Sequence, residues 1–403
     1  DLFDSREWFA LQTWINGDKV ANLDLVKKLC YDSAEGYEWI QSLGMAFNAH
    51  ISQGAGSLWQ RTHTSTMQMG TGFISTYVEN IRKNDKIKLF VNTTAKSLVM
   101  ENGRVSGVVC ADKNGNEVTY SANKGVVLST GGFSANSKMI SEYNTSGKWN
   151  DLSKVPTTNR FSCSQGDGIN MALSVGASLT DMEQIQLLYL GNCVDGGLTK
   201  YPPRVVNGTD QEIFVNVNGE RFVREDGRRD QICLAVLQQP EQKFYFIESG
   251  DGSYVDVATA ISADGFTFKY LEDNGYIVVG ETVAELAGKL GMDAAVLQNT
   301  IDEFNACVDA GKDEEFGRTL FSVKLEKGPF VATARQACVL HTMGGVTIDE
   351  ACHVLDANGQ IIPGLVAAGE ITGGIHGANR LGGNAVVDTV VYGRQAGKTI
   401  ATE

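Results

Sequence analysis

Two arginines stand in surroundings that suit chemistry on an anionic or carbonyl-containing molecule. Arg380 lies in the glycine-rich stretch HGANRLGGNA, just before a run that predicts a helix from about Asn384. Bare amides at a helix N-terminus attract electron-rich groups, and a guanidinium beside them can bind a carboxylate through two parallel hydrogen bonds. A surface salt bridge is the alternative for Arg380. Arg229 lies in the charged stretch NGERFVREDGRRDQ, for which a solvated loop is the alternative.

Two strand-like runs end in small residues and could receive a flat cofactor. VVLSTGGF ends in Thr130, Gly131 and Gly132, and GLVAAGE ends in Glu370. Open α/β sheets bind ligands at the carboxyl ends of their strands, where glycines let the backbone approach the ligand and a carboxylate can accept hydrogen bonds from ribose hydroxyls. Two ordinary β-turns are the alternative.

A histidine in the stretch QACVLHTMGGVTID is a further candidate. His341 is followed by Thr-Met and a glycine pair, just before a strand-like run. It could face a cofactor, or it could be a buried histidine of the core.

The elements that must position these residues follow from hydrophobic periodicity and turn signals. Helical spacing covers residues 19–43, a helix is predicted over about 72–83, and a capping box of Thr282 and Glu285 opens another helix. Further helices are predicted at 166–177, at 293–311 and from about Asn384 onward, and a hairpin turns at Asn218-Gly219. Short strands are predicted within 87–129, namely IKLFVN, AKSLVM, RVSGVVCA, NEVTYSA and KGVVLST.

Composition excludes several classes of protein. The 403 residues carry a net charge of −14, which disfavours a nucleic-acid groove, and no apolar run approaches the ~18 residues of a membrane span. The eight cysteines form no CxxC pattern, so buried free thiols are expected rather than a metal or haem site. We expect a soluble protein, and its compartment, exported or cytoplasmic, stays open.

Six motifs occur in order along the chain: STGGF, GDGINMALSVGA, NGERFV followed by RRD, HTMGGVTID, IPGLVAAGEITGGIHGANRLGGNA and GRQAG. Together they resemble the FAD-dependent flavoprotein family of fumarate reductases and succinate dehydrogenases, especially its soluble single-chain bacterial branch. The resemblance implies an α/β fold with a Rossmann-like FAD-binding domain, residues 1–182 and 341–403, and an inserted α+β capping domain, residues 183–340. The family's GxGxxG unit is not matched, so the fold is expected to be incomplete at its N-terminus, and a separate N-terminal piece could complete the FAD site.

The resemblance also implies roles for individual residues. It places Arg229 at the proton-donor position and Arg380 at the arginine that grips the substrate, with hydride coming from N5 of reduced FAD. The electron donor would be an external flavin-, haem- or quinol-linked protein. The expected FAD contacts are Thr130, Gly131, Gly132, Asp167, His341, Glu370, Asn384, Ala385 and Val386.

Departures from the family pattern point to the kind of substrate. The family's two carboxylate-binding histidines correspond here to Leu188, followed by Tyr189, and to Leu340, followed by His341; these four residues are the predicted substrate contacts. The family's acid-x-x-arginine relay is also unmatched, since that stretch offers only Arg204. A charged carboxylate buried against leucine without partners costs several kcal/mol.

The sequence therefore predicts a flavin-dependent reductase of the C=C bond in an α,β-unsaturated acid or carbonyl compound, with a substrate bulkier and less polar than fumarate. Two alternatives stay open: a dehydrogenase of a steroid-like ring ketone, and a non-catalytic ligand-binding remnant.

Overall fold

The computed structural model describes residues 4–159, 163–198, 200, 212–249, 261–262, 265–320 and 323–403. Arg204 lies outside them. The helices are α1 (Arg6–Asn16), α2 (Leu23–Tyr31), α3 (Ser33–Ser42), α4 (Thr71–Arg82), α5 (Ser137–Tyr143), α6 (Asp167–Ser174), α7 (Arg229–Leu237), α8 (Phe268–Asp273), α9 (Val283–Leu290), α10 (Ala294–Ala310) and α11 (Asn384–Thr402). A 3₁₀ turn spans Pro240–Gln242.

The strands are β1 (Phe47–Gln53), β2 (Gln60–Ser65), β3 (Thr94–Glu101), β4 (Arg104–Ala111), β5 (Glu117–Ser121), β6 (Val126–Leu128), β7 (Leu179–Thr180), β8 (Ile185–Asn192), β9 (Glu212–Asn216), β10 (Lys243–Ser249), β11 (Val278–Gly280), β12 (Phe330–Thr342), β13 (Gly345–Val346), β14 (His353–Leu355) and β15 (Ile361–Ala367). The chain forms two compact units. Unit 1 comprises residues 1–154, 159–186 and 341–403, and unit 2 comprises residues 155–158 and 187–340.

Unit 1 brings two glycine turns to one edge of a sheet: the turn with Gly131 and Gly132 after β6, and the turn with Gly369 and Glu370 after β15. Strand β15 pairs in parallel with β6, with Leu365 opposite Val126 and Ala367 opposite Leu128. Parallel strands have their carboxyl ends at the same edge, so the turns that follow β6 and β15 become neighbours. Next to this sheet, β3, β4 and β5 form an antiparallel meander.

Unit 2 is built on an antiparallel sheet of order β11-β12-β10-β9, in which β8 also pairs with β12. Helices α9 and α10 cover one face of this sheet through buried residues such as Leu286, Leu297 and Phe304. Half of the predicted capping box forms at the start of α9: Thr282 Oγ1 accepts a hydrogen bond from the Glu285 amide, whereas Glu285 Oε2 accepts one from the amide of Glu281, the residue before the N-cap. The chain passes from unit 1 to unit 2 within β8 and returns within β12.

Three local predictions differ from the structure. The stretch IKLFVN, residues 87–92, is not a strand; within the described chain it joins no sheet, and Leu89 and Val91 are 58% and 70% exposed. Helical spacing over 19–43 resolves into two helices, α2 and α3. The turn at Asn218-Gly219 forms, but its second arm meets β9 only through the single bridge between Val215 and Arg221.

Candidate active site

The two glycine turns of unit 1 meet at Thr342. The Phe133 amide donates to Thr342 Oγ1 over 3.2 Å, and the Thr342 amide donates to Glu370 Oε1 over 3.1 Å. A Cβ on Gly132 would lie 2.1 Å from Thr342 Oγ1 and 2.9 Å from Glu370 Oε1. Only glycine fits there, so the backbone of the first turn lies directly against the acid of the second.

Helix α6 begins at the same turn. A Cβ on Gly168 would lie 2.0 Å from Thr130 Oγ1, which brings the helix start against the end of β6. Asp167 is exposed at the first position of α6, after Gly166 with its positive φ of 79°. The structure thus gathers Thr130, Gly132, Asp167 and Glu370, four residues predicted to contact the cofactor.

Glu370 is an acid whose ionisation is disfavoured. Burial raises the pKa of Glu370 to about 7, and this outweighs the hydrogen bond from the Thr342 amide and the charge of Arg380, both of which lower it. An acid held in this way can accept or donate hydrogen bonds near neutral pH. It suits a site that binds hydroxyl groups.

This raised pKa predicts how the stability of the flavin-free chain depends on pH. Between pH ~4.5 and ~7 the folded state holds more protons at Glu370 than the unfolded state does, so stability is greatest below this window and falls as pH rises through it. For Glu370→Gln, which cannot titrate, we expect a smaller fall, the difference being on the order of 3 kcal/mol. Urea unfolding at pH 4.5 and at pH 7.5 measures it.

Asp181 contributes to the same pH dependence. Burial raises the pKa of Asp181 to about 6, so its contribution to the folding stability is also lost as pH rises through this window. Asp181→Asn is therefore the matched control, and it should remove a smaller, separate part of the fall. Equal pH dependence in the parent and in Glu370→Gln would contradict the assignment.

A bare helix N-terminus and a cavity lie in the same unit. Helix α11 starts at Asn384 after Gly383, whose φ is +86°, and no side chain caps it. Asn384 is buried and donates from Nδ2 to Thr13 Oγ1 over 3.2 Å, while Val386 is 43% exposed and Ala385 is half-buried. Gly383, Asn384 and Val386 line a cavity of about 510 Å³, together with aromatic residues such as Phe9, Tyr37 and Phe47.

His341 is buried and packs against a second histidine that sequence reasoning did not identify. The rings of His341 and His376 meet edge to face with centroids 5.5 Å apart, and His376 Nε2 lies 3.1 Å from Asp388 Oδ2. His376 and Asp388 are 2% and 1% exposed. The sequence did not predict the pair of His376 and Asp388, because it forms only when the loop before α11 folds back on the helix.

Arg380 is buried in unit 1. Its Nη1 donates to the carbonyl of Leu381 over 2.8 Å, and the residue is 9% exposed. The charge of Arg380 also acts on Glu370. Unit 1 thus brings the predicted substrate-gripping arginine near the predicted ribose-binding acid.

Unit 2 holds Arg229 in a different way from the arginines around it. Arg221 pairs with Glu225 and Asp313 over 2.7 and 2.8 Å, Arg224 pairs with Asp226, and Arg228 pairs with Asp230. For the part around Arg221 and Glu225 the solvated-loop interpretation is wrong, since both side chains are buried.

Arg229, the first residue of α7, differs from its neighbours because no carboxylate among the described residues lies within salt-bridge distance. Its Nη1 is buried without a hydrogen-bond partner there, although the residue as a whole is half-buried. Burial lowers the pKa of Arg229, while Tyr189, Cys233 and Asp230 act in the opposite direction. A lowered pKa makes a guanidinium a better acid.

The predicted substrate contacts of unit 2 lie on the paired strands β8 and β12. Leu188 is 9% exposed and its carbonyl accepts a hydrogen bond from Cys338 Sγ over 3.1 Å, two residues before Leu340. The Tyr189 ring packs on Phe214 and Phe244, with centroids 5.6 and 6.4 Å away. This strand pair therefore presents apolar and aromatic side chains.

Comparison with known proteins places these features in a family. The model of a family described as "FAD binding domain" matches residues 2–386. The chain belongs to this family. It is 37% identical over 415 residues to an NADH:acrylate oxidoreductase of Vibrio harveyi, covering 99% of the chain and 39% of that protein. It is 34% identical over 401 residues to an NADH:fumarate oxidoreductase of Klebsiella pneumoniae, covering 99% of the chain and 41% of that protein.

A solved structure agrees with this membership. The open conformation of a flavocytochrome c3 fumarate reductase matches with a TM-score of 0.79 and 31% identity, over 99% of the chain and 68% of that protein. The resemblance to fumarate reductase flavoproteins and the predicted α/β FAD-binding fold are therefore confirmed. The chain spans about two fifths of the length of the two curated relatives.

The site residues fit the family's cofactor. The close backbone approach at Gly132, where no Cβ fits, and the protonatable Glu370 suit a nucleotide with its ribose hydroxyls, and a separate cavity at the start of α11 has aromatic walls that suit a flat ring system. In the described part of the chain no cluster of side chains could hold a metal ion, and no helix is long and apolar enough to cross a membrane.

Proposed function

We propose that this chain forms the catalytic part of a flavin-dependent reductase that saturates the C=C bond of an α,β-unsaturated acid or carbonyl compound. The substrate is bulkier and less polar than fumarate. The observation that carries the proposal is Arg229, whose Nη1 is buried and which has no carboxylate within salt-bridge distance among the described residues. The flavocytochrome fumarate reductase and the acrylate oxidoreductase to which the chain is similar support it.

Thr130, Gly131, Gly132, Asp167, Glu370, Asn384, Ala385 and Val386 would hold FAD, with His341 beside it. Bound in its reduced form, this cofactor supplies a hydride for the β-carbon of the substrate.

Arg380 binds the conjugated carboxylate or carbonyl oxygen and stabilises the negative charge that builds there. Arg229 then donates its proton to the α-carbon. A carbanion-like centre is basic enough to take a proton even from a guanidinium, and burial lowers the pKa of Arg229 in the direction that this step needs.

A substrate screen tests the function. Enoates and enones of increasing size are offered to the flavin-loaded protein with reduced viologen as electron donor, and oxidation of the viologen is followed. We expect turnover with at least one aryl acrylate, conjugated lactone or enone. Flavin-loaded protein that reduces none of them would contradict the proposal, and protein that takes up no flavin in any form would favour a non-catalytic ligand-binding role.

Cofactor retention gives a separate prediction. We propose that a βαβ unit carrying a GxGxxG loop completes the FAD site, because the family's pyrophosphate-binding GxGxxG motif does not occur in these 403 residues. The exposed apolar segment 87–92 and Val127, which is 40% exposed on β6, offer a surface for such a unit. The 403-residue chain should bind FAD weakly, and tightly once the unit is supplied in cis or in trans.

Flavin content after gel filtration, read from absorbance near ~450 nm, measures retention. The control is the Glu370→Gln variant of the completed protein, in which retention should be weaker but present. Stoichiometric flavin in the 403-residue chain alone would show that the nucleotide site is complete without the added unit.

A further inference from the structure

The segment that carries Arg380 is held by side chains from three distant parts of unit 1. Lys148 Nζ donates to the carbonyl of Ala378 over 3.0 Å, and Asn16 Nδ2 donates to the carbonyl of Asn379 over 2.7 Å. Gln186 Nε2 donates to the carbonyl of Arg380 itself over 3.4 Å. Three successive carbonyls are thus each bound by one side-chain donor.

Both ends of this segment are fixed by close backbone packing. A Cβ on Gly377 would lie 2.3 Å from the carbonyl oxygen of Gly17, and one on Gly382 would lie 2.3 Å from the amide nitrogen of Ala55. The Gly382 amide also donates to the carbonyl of Ala55 over 2.8 Å. With both ends closely packed and three carbonyls bound, a rotation of the peptide planes in this segment would break these contacts.

Gln186 makes the most informative contact. Its Nε2 faces two acceptors, since it also donates to Asn379 Oδ1 over 3.1 Å, and this fixes which end of the amide is nitrogen. The Oε1 atom is consequently turned away, and it is buried without a donor among the described residues. Gln186 is 3% exposed, so packing alone would favour an apolar side chain there. The two hydrogen bonds that Gln186 donates account for a polar side chain at this buried position.

The guanidinium depends on the peptide that these side chains hold. Arg380 Nη1 donates to the carbonyl of Leu381, the carbonyl that follows the one bound by Gln186. A rotation of the peptide at Arg380 would therefore move the anchor of its own side chain. We propose that Gln186, together with Asn16 and Lys148, is a positioning residue that sets the direction of the Arg380 guanidinium; the inference rests on the proposed role of Arg380 in binding the substrate anion.

Gln186→Met tests the inference, because methionine has a similar length and removes both donated hydrogen bonds. Gln184→Met is the matched control: Gln184 lies two residues earlier and donates to Glu183, not to the Arg380 segment. Binding of 3-phenylpropionate to the flavin-loaded protein is measured by calorimetry, and kcat/KM is measured with cinnamate. Each measurement is repeated in an Arg380→Lys background.

If Gln186 acts through Arg380, Gln186→Met should weaken binding about 10-fold and lower kcat/KM by up to ~100-fold, as a displacement of about 1 Å can do. In the Arg380→Lys background the same change should cost less than about 2-fold, because residues that act as a unit are not additive. Flavin content and the Gln184→Met protein should be unaffected.

Equal losses in both backgrounds, or losses shared by Gln184→Met, would overturn the inference. Binding of 3-phenylpropionate that does not depend on Arg380 would overturn it as well. Binding that follows the expected pattern without reduction of any enoate would contradict the proposed reductase function and leave the positioning role supported.

Discussion

Replacing Arg229 by glutamine should abolish reductase activity while the protein keeps its flavin. Glutamine retains a planar group of similar length but has no acidic proton at neutral pH, so the loss falls on the proton-transfer step. For a lost general acid we expect a decrease in kcat on the order of 100- to 10,000-fold. Steady-state kcat at saturating substrate, with the flavin content of the variant determined alongside, measures the loss.

The neighbouring arginines provide the control for Arg229. Arg224 is exposed and paired with Asp226, so Arg224→Gln should leave turnover within about 2-fold of the parent protein. Because Nη1 of Arg229 has no partner among the described residues, its loss should also cost little stability. Near-parental turnover in Arg229→Gln would remove this residue from the mechanism, and a loss of folding in the variant would show that its role is structural.

The part of the site that the sequence predicts best is the part that local signals and topology determine together. Thr130 to Gly132 and Glu370 each follow an apolar run ending in small residues, and parallel pairing of β6 with β15 forces the two turns to one edge. The contact of Gly132 with Glu370 follows from that arrangement. The start of α11 was likewise predictable, because the glycines before Asn384 give way abruptly to helical periodicity.

Other features depend on contacts that no local pattern records. The hairpin of β1 and β2 was not predicted, although FNAHISQ alternates apolar and polar residues; the strand is mostly exposed, so the alternation does not correspond to a buried face. The buried pair of Arg221 and Asp313 joins residues far apart in the sequence, so charge spacing alone favoured a solvated loop. Residues 87–92 have the composition of a strand, yet a strand also needs a partner for its backbone groups.

Conversely, one local pattern is compatible with a close contact that does not form. Gly393 and Gly397 lie four residues apart on α11, a spacing that permits close packing against a sheet or a cofactor. No atom lies within 4 Å of the position that a Cβ would take at either glycine, among the described residues. The small size of glycine permits close packing of another element, but it does not determine whether such an element lies there.

The leucines on strands β8 and β12 of unit 2 predict which substrates the enzyme prefers. Leu188 and Leu340 stand on the paired strands β8 and β12, at the positions where the resemblance places the family's carboxylate-binding histidines. An apolar wall stabilises buried carbon by roughly 25 cal/mol per Å² and leaves a second carboxylate without donors. An aryl acrylate, conjugated lactone or enone should therefore be reduced with far higher kcat/KM than fumarate.

Restoring both histidines should reverse this preference. Two charge-assisted hydrogen bonds to the second carboxylate, each contributing about 1.5–3 kcal/mol, would shift the ratio of kcat/KM for fumarate over cinnamate by at least ~100-fold in Leu188→His with Leu340→His. One histidine alone should shift the ratio less, because the carboxylate keeps an unpaired oxygen. Leu188→Met with Leu340→Met preserves the apolar wall and should leave the ratio unchanged. If the parent enzyme, with its cofactor complete, reduces fumarate faster than every bulky enoate, the two leucines do not determine the substrate, and the specificity must come from groups elsewhere in the chain.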